Sequence, residues 1–166
     1  DTILVTHNRD EAYHMCERLA LMDNGHIFSH GNVKSVFSCP KTVAGARITG
    51  CKNIAFAQKT GSHSLQIPEW KLALTLPYEI PEALCAVGIR AHAFSIQPTA
   101  GPSCHPISVH FCGEMEEPFE WILQFRIQGQ DKDTPPIWWR FAKETYPKEL
   151  PKTLYFQSSD LLLLQA

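Results

Sequence analysis

The run Thr2-Ile-Leu-Val-Thr-His7-Asn8-Arg9-Asp10-Glu11-Ala12 joins an apolar, strand-like segment to a histidine at its end and an acidic helix start. An imidazole in that place is held either by a neighbouring carbonyl or by a ligand beyond the strand, since it can both donate and accept a hydrogen bond. Further along, Cys104-His105-Pro-Ile-Ser-Val-His110-Phe-Cys112 gathers two thiols and two imidazoles, the ligand types that zinc favours. Ile107, Val109 and Phe111, however, alternate with Ser108, His110 and Cys112, so a half-buried strand accounts for the second half by itself. Structural zinc ligands come as two spaced pairs, and the adjacent Cys104 and His105 fit one tetrahedron poorly; no metal is expected. Glu114, Glu116, Glu117 and Glu120 have the composition of an acid–base pair but crowd residues 113–118, which read as a solvated hairpin connection. Of Trp138 and Trp139 one indole should enter the core and only the other remain available for stacking, because neighbours on a strand face opposite sides. Nothing resembles a nucleophile elbow.

The elements that would carry these groups divide the chain near residue 50. Asn8 is placed to cap a helix with Glu11 reaching back to its amide. Ala12, Met15, Cys16 and Leu19 recur at helical spacing to form one apolar face. Residues 19–22 and 26–29 read as strands joined by Asp23-Asn24-Gly25, a tight hairpin turn. Residues 33–37 predict a short helix stopped by Pro40, and 42–48 another stopped by Gly50. From Asn53 the texture becomes short β-like runs at 53–58, 64–67, 84–90, 107–113, 121–127, 137–141, 153–156 and 161–164, the spacing of a small barrel or sandwich.

With its continuation through Tyr13-His-Met-Cys-Glu17-Arg18-Leu19-Ala-Leu-Met22-Asp23-Asn24-Gly25-His26-Ile27, the first run resembles the switch (H-loop) segment of ABC-transporter ATPases. The resemblance implies that His7 reaches the γ-phosphate of ATP held between two nucleotide-binding domains, with Asn8 standing where Asp or Ser is frequent. Ser35-Val36-Phe37-Ser38-Cys39-Pro40 resembles the family's Phe/Tyr-x-x-Pro segment, and residues 48–53 its lead-in to an accessory domain. Val87-Gly88-Ile89-Arg90-Ala91-His92-Ala93-Phe94 is similar to the Leu-Gly-Ile-Arg-Pro-Glu-x-Leu segment of the TOBE domain, an OB-like barrel, with Ala91 for Pro and His92 for Glu. Residues 156–164 resemble the closing strand of the molybdate-binding version of that module. This implies Ser158 and Ser159 as ligand-binding donors, with Gln157 where a Lys would stand; the alternative is that the two serines form a turn before the last strand.

The chain contains no G-x-x-x-x-G-K-[ST] loop, no Ser-Gly-Gly signature and no apolar strand ending in Asp-Glu. It is therefore expected to begin inside the nucleotide-binding domain, to carry no cofactor of its own and not to hydrolyse ATP, whereas the full-length protein would be an ATPase using ATP and Mg²⁺. The expected fold is mainly β: an OB-like (TOBE) barrel over 51–166, preceded over 1–50 by the α/β end of an ABC ATPase domain. Implied function is the C-terminal regulatory portion of an importer's ATP-binding subunit, with an oxyanion such as molybdate or sulfate as cargo. Sugar, polyamine or iron cargo, or a stand-alone OB-like binding module, are the alternatives. Implied partners are a second copy of the chain and a transmembrane permease. With 15 Lys+Arg against 17 Asp+Glu, a net charge of −2 and no long basic run, nucleic acid is not expected. The longest apolar runs fall short of a bilayer span, so no direct membrane insertion is expected. Six scattered cysteines fit reduced thiols. The expected location is cytoplasmic, on the inner face of the membrane through the permease.

Overall fold

A computed structural model describes residues 2–166. Thr2 to Thr6 join no strand, contrary to expectation, and Ile3 and Val5 are 90% and 92% exposed. Extended backbone becomes a strand only when a neighbour takes its amides and carbonyls, and among the described residues no strand pairs with this segment. Helix α1 (Arg9–Met15) starts at Asn8, whose side chain accepts from the amides of Asp10 and Glu11. The predicted apolar face is cut short, for Cys16 already has extended backbone and only Ala12 is buried in the helix. Met15 is exposed and Leu19 lies in the next strand.

Strands β1 (Arg18–Asp23) and β2 (His26–Asn32) form an antiparallel hairpin. Its turn places Asn24 at φ 48° and Gly25 at φ 80°, the left-handed pair that Asn-Gly tolerates best. Asn32 caps α2 (Val33–Ser38) and Thr42 caps α3 (Val43–Ile48), each through a side-chain oxygen on the first-turn amides.

The rest is mainly β. Strands β3 (Asn53–Phe56), β7 (Ala86–Ile89) and β12 (Leu161–Leu164) form one sheet with β7 central. A second sheet runs β10 (Ile137–Ala142), β9 (Glu120–Ile127), β8 (Cys104–Glu116), β11 (Thr153–Gln157). A third consists of β4 (Gln58–Lys59), β5 (Ser64–Ile67) and β6 (Leu72–Thr75). Every pairing between these strands is antiparallel. The sheets curl as an OB-like half-barrel around one core that includes Leu65, Ile89, Ile107, Phe125, Trp139 and Phe156.

Strand β6 was not anticipated, although Leu72 and Leu74 alternate with Ala73 and Thr75. Strand β8 runs through Glu116 rather than ending near Gly113. A register shift between Phe111 and Gly113 absorbs Cys112 as a bulge, and pairing with β9 then continues to Glu116 opposite Trp121. Glu114 and Glu116 therefore sit on a strand, where they bind the Tyr146 hydroxyl (2.9 Å) and Lys143 (2.5 Å).

A smaller apolar cluster of Ala46, Cys51, Ala86 and Leu164 fastens α3 to the β3–β7–β12 sheet. The chain's end completes that attachment: Gln165 takes the amide of Val43 on its carbonyl and gives its own amide to the Lys41 carbonyl. Among the described residues no helix is long and apolar enough to cross a membrane.

Candidate functional site

His7 stands exposed at the threshold of α1. The residues on either side fix that threshold. The Thr6 hydroxyl donates to the Glu11 carboxylate at 2.6 Å and accepts the Asn8 amide at 3.0 Å. Asn8 Oδ1 accepts the Asp10 and Glu11 amides at 3.0 and 3.2 Å. The expected box, with Glu11 closing on the Asn8 amide, is thus replaced by a relay through Thr6: its hydroxyl stands between the two groups and serves both.

The segment that contains His7 meets the barrel at a joint built by two side chains. Arg90, directly after β7, donates to the carbonyls of Thr49 (2.9 Å) and Phe37, so one guanidinium holds the ends of both α2 and α3. Its fork of donors suits two carbonyls at once in a way an ammonium does not. The Thr49 hydroxyl, buried, turns back to Gly45 at 2.8 Å and keeps the carbonyl end of α3 in place. Asn53, also buried, gives Nδ2 to the carbonyls of Ile89 (3.0 Å) and Trp138 (2.9 Å) and takes the Trp138 amide on Oδ1 at 2.6 Å. One carboxamide thereby bridges two sheets that share no ladder.

Gly88 lies beneath the joint, where a Cβ would meet Cys51 Sγ at 3.0 Å and Leu164 Cδ1 at 3.4 Å. The Gly-Ile-Arg run is accounted for locally: the glycine admits α3's neighbour, Ile89 enters the core and Arg90 ties the helices. Burial raises the Cys51 thiol above its ordinary pKa of 9.0, which keeps it protonated and inert.

Ser158 and Ser159 occupy a 3-10 turn between β11 and β12. Gln157 and Asp160 brace the turn, the Asp160 carboxylate taking the Gln157 amide at 2.8 Å. Ser158 is buried; its Oγ is 2.8 Å from His105 Nε2 and 3.4 Å from the Ser103 carbonyl, and its own carbonyl accepts the Tyr78 hydroxyl at 2.5 Å. Ser159 is exposed. Burial lowers the pKa of His105 and raises that of Tyr78, the latter with help from the Asp160 charge. The structure does not bring His7 together with the serine turn.

Sequence reasoning missed Asn53, Thr49, Tyr78 and His105 as a framework. Only Asn53 left a signal, a carboxamide opening an apolar strand. Of the tryptophans, Trp139 is in the core and gives its indole N–H to the Phe94 carbonyl at 3.0 Å, while Trp138 stays half-exposed beneath Lys52 Nζ, 5.6 Å from its ring centroid. The thiols and imidazoles of β8 point to different surroundings, with Cys112 exposed and His105 committed to Ser158.

No protein-family model matches the chain. Curated proteins do. The chain is 26% identical over 103 residues to the Fe(3+) ions import ATP-binding protein of Mannheimia succiniciproducens, covering 61% of this chain and 29% of that protein. It is 40% identical over 52 residues to the spermidine/putrescine import ATP-binding protein of Bacillus thuringiensis, covering 31% of this chain and 16% of the relative. The corresponding protein of Mycoplasma genitalium is 32% identical over 73 residues, 44% of this chain and 13% of the relative. The first match covers more of the chain than residues 1–50 contain, so the similarity extends into the β-rich part. The chain is thus related in part to import ATP-binding proteins, and it spans less than a third of the length of each of these relatives.

Proposed function

We propose that this chain is the C-terminal portion of the ATP-binding subunit of an ABC importer, joining the switch end of the nucleotide-binding domain to a TOBE-type regulatory barrel. The observation that carries the reading is the joint. Residues 7–50 supply a histidine threshold, helix, hairpin and two short helices in the order expected of that domain's end. Arg90 then fastens the last two helices to the half-barrel. In the complete subunit ATP and Mg²⁺ would be bound by segments outside this chain, and His7 would meet the γ-phosphate and stabilise charge developing on it. A permease and a second copy of the subunit complete the proposed assembly, at the inner face of the membrane. The names of the relatives support an importer role and bring iron and polyamines beside the oxyanion as cargo. For an oxyanion to be held by Ser158 and Ser159, the Ser158 hydroxyl must turn from His105 toward the ligand.

The test is a His7→Ala substitution in the complete subunit. ATP hydrolysis is expected to fall by about a hundredfold, the scale of losing one transition-state donor, with ATP affinity retained. Wild-type turnover would remove His7 from the chemistry. The 166-residue chain alone is expected neither to turn over ATP nor to bind it at micromolar concentration, and tight binding would refute the division of labour.

A further inference from the structure

Between the first helix and the half-barrel lies a cleft of about 240 Å³. Arg9 enters it from α1, Lys52 from the segment before β3, Arg90 and His92 from the turn after β7, and Arg140 from β10. Asp10 is the one carboxylate in its lining. Four permanent cations therefore line the cleft against Asp10 and the Glu120 carboxylate that pairs with Arg140, in a chain whose net charge is −2. Cations lining one cleft repel one another unless a counter-charge joins them, and a partly enclosed site screens that repulsion less than open water does.

The hydrogen-bonding state of these groups points the same way. Arg90 spends its donors on carbonyls, which leaves its charge uncompensated. Arg140 Nε is buried without a hydrogen-bond partner, and Nη1 reaches only to 3.5 Å from Glu120. Among the described residues Arg9 makes no ion pair, and Lys52 is held only by the face of Trp138. Gly50, at φ 90°, gives the Arg9 guanidinium the space that any Cβ would occupy, so the backbone is shaped to admit that cation beside the cleft.

We propose that this cleft binds a small multivalent oxyanion of the phosphate or sulfate type. Guanidinium forks match the paired oxygens of such a group, and the volume suits it better than a drug-sized ligand. The site is separate from the serine turn, and it tells the barrel and the first helix of the presence of one solute because both contribute cations. It does not depend on the importer reading, since it is assembled wholly within this chain.

The experiment is calorimetric titration of the 166-residue chain with sodium pyrophosphate and, separately, sodium sulfate, at matched low ionic strength. One saturable site is expected. Lys52→Gln and Arg140→Gln should each weaken it about tenfold, the scale of one charge-assisted hydrogen bond, while Lys148→Gln, an exposed cation outside the cleft, leaves it unchanged. Arg9→Gln, a substitution at an exposed position, serves if thermal melting shows that either of the first two variants fails to fold. Absence of saturable binding by the wild-type chain with both anions at millimolar concentration would overturn the site. So would equal affinity in the Lys52→Gln/Arg140→Gln double variant, or a loss of about tenfold in Lys148→Gln matching that of the cleft variants. Pyrophosphate binding without sulfate binding would narrow the ligand to phosphoryl groups.

Discussion

Polar side chains in the half-barrel do structural tasks that apolar packing cannot. Asn53 matches a carbonyl of β7 and both backbone groups of Trp138 with one planar amide, and a buried backbone group without such a partner costs on the order of 1–3 kcal/mol. His105 does comparable work at the far end, bonded to the buried Ser158 and stacked near Phe156 with ring centroids 5.2 Å apart. Its pKa is lowered from the ordinary 6.5 by burial. The unfolded chain therefore takes up a proton that the folded form refuses, so His105 leaves stability intact above 6.5 and costs stability as the pH falls below that value. The thermal midpoint of the wild type is expected to drop between about pH 7.5 and about pH 5, and to drop less in His105→Gln. Parallel profiles for the two proteins would show that this imidazole does not contribute.

At the scale of elements, α2 and α3 are too short to persist alone, because a helix of one to two turns does not repay its nucleation. Caps from Asn32 and Thr42 supply part of the deficit, and Arg90 supplies the tether. Arg90→Gln should accordingly loosen the helices without disturbing the sheets. Hydrogen exchange at the amides of Ala46, Thr49 and Gly50 is expected to accelerate about tenfold or more, with Leu123 in β9 unaffected. Unchanged exchange at the three helix amides would assign the attachment to the apolar cluster alone. The segment 2–6 is the opposite case, tied down only at its end, where the Thr6 hydroxyl bonds Glu11 and the Asn8 amide. It leaves Ile3 and Val5 almost fully exposed.

For the whole molecule, the attachment of α3 predicts where the stable body starts. Val43 and Ala46 pack with Ala86 and Leu164, and Thr42 bridges Gln165, so residues 41–50 share the barrel's cohesion although they precede its first strand. Removing residues 1–31 is expected to leave the denaturation midpoint nearly unchanged. Removing 1–50 should cost about 2–4 kcal/mol, equal to the burial of one or two aliphatic side chains. Equal stability after both deletions would mean that α3 lies on the barrel without supporting it. Sedimentation of the same three proteins tests the proposed self-association, since a dimer made by the barrel survives the shorter deletion and one made by docking of residues 1–31 does not.

Local chemistry in the sequence was sufficient for the Asn24-Gly25 turn, the cap at Asn8 and the stop of α3 before Gly50, and for most strands, because alternation and backbone preference act over a few residues. That only one of Trp138 and Trp139 enters the core followed from the same alternation, and the fold decided that it is Trp139. Tertiary structure alone decided how far β8 continues, since its extension depends on a partner strand that tolerates a bulge at Cys112. It also decided that α1 stops at Met15, because Leu19 was drawn into the β1–β2 hairpin instead of completing a helical face. The joint made by Arg90 and Asn53 was equally beyond local reading. Their partners lie 36 to 85 residues away in the chain, and no spacing rule reports which carbonyls a donor meets once three sheets have closed around one core.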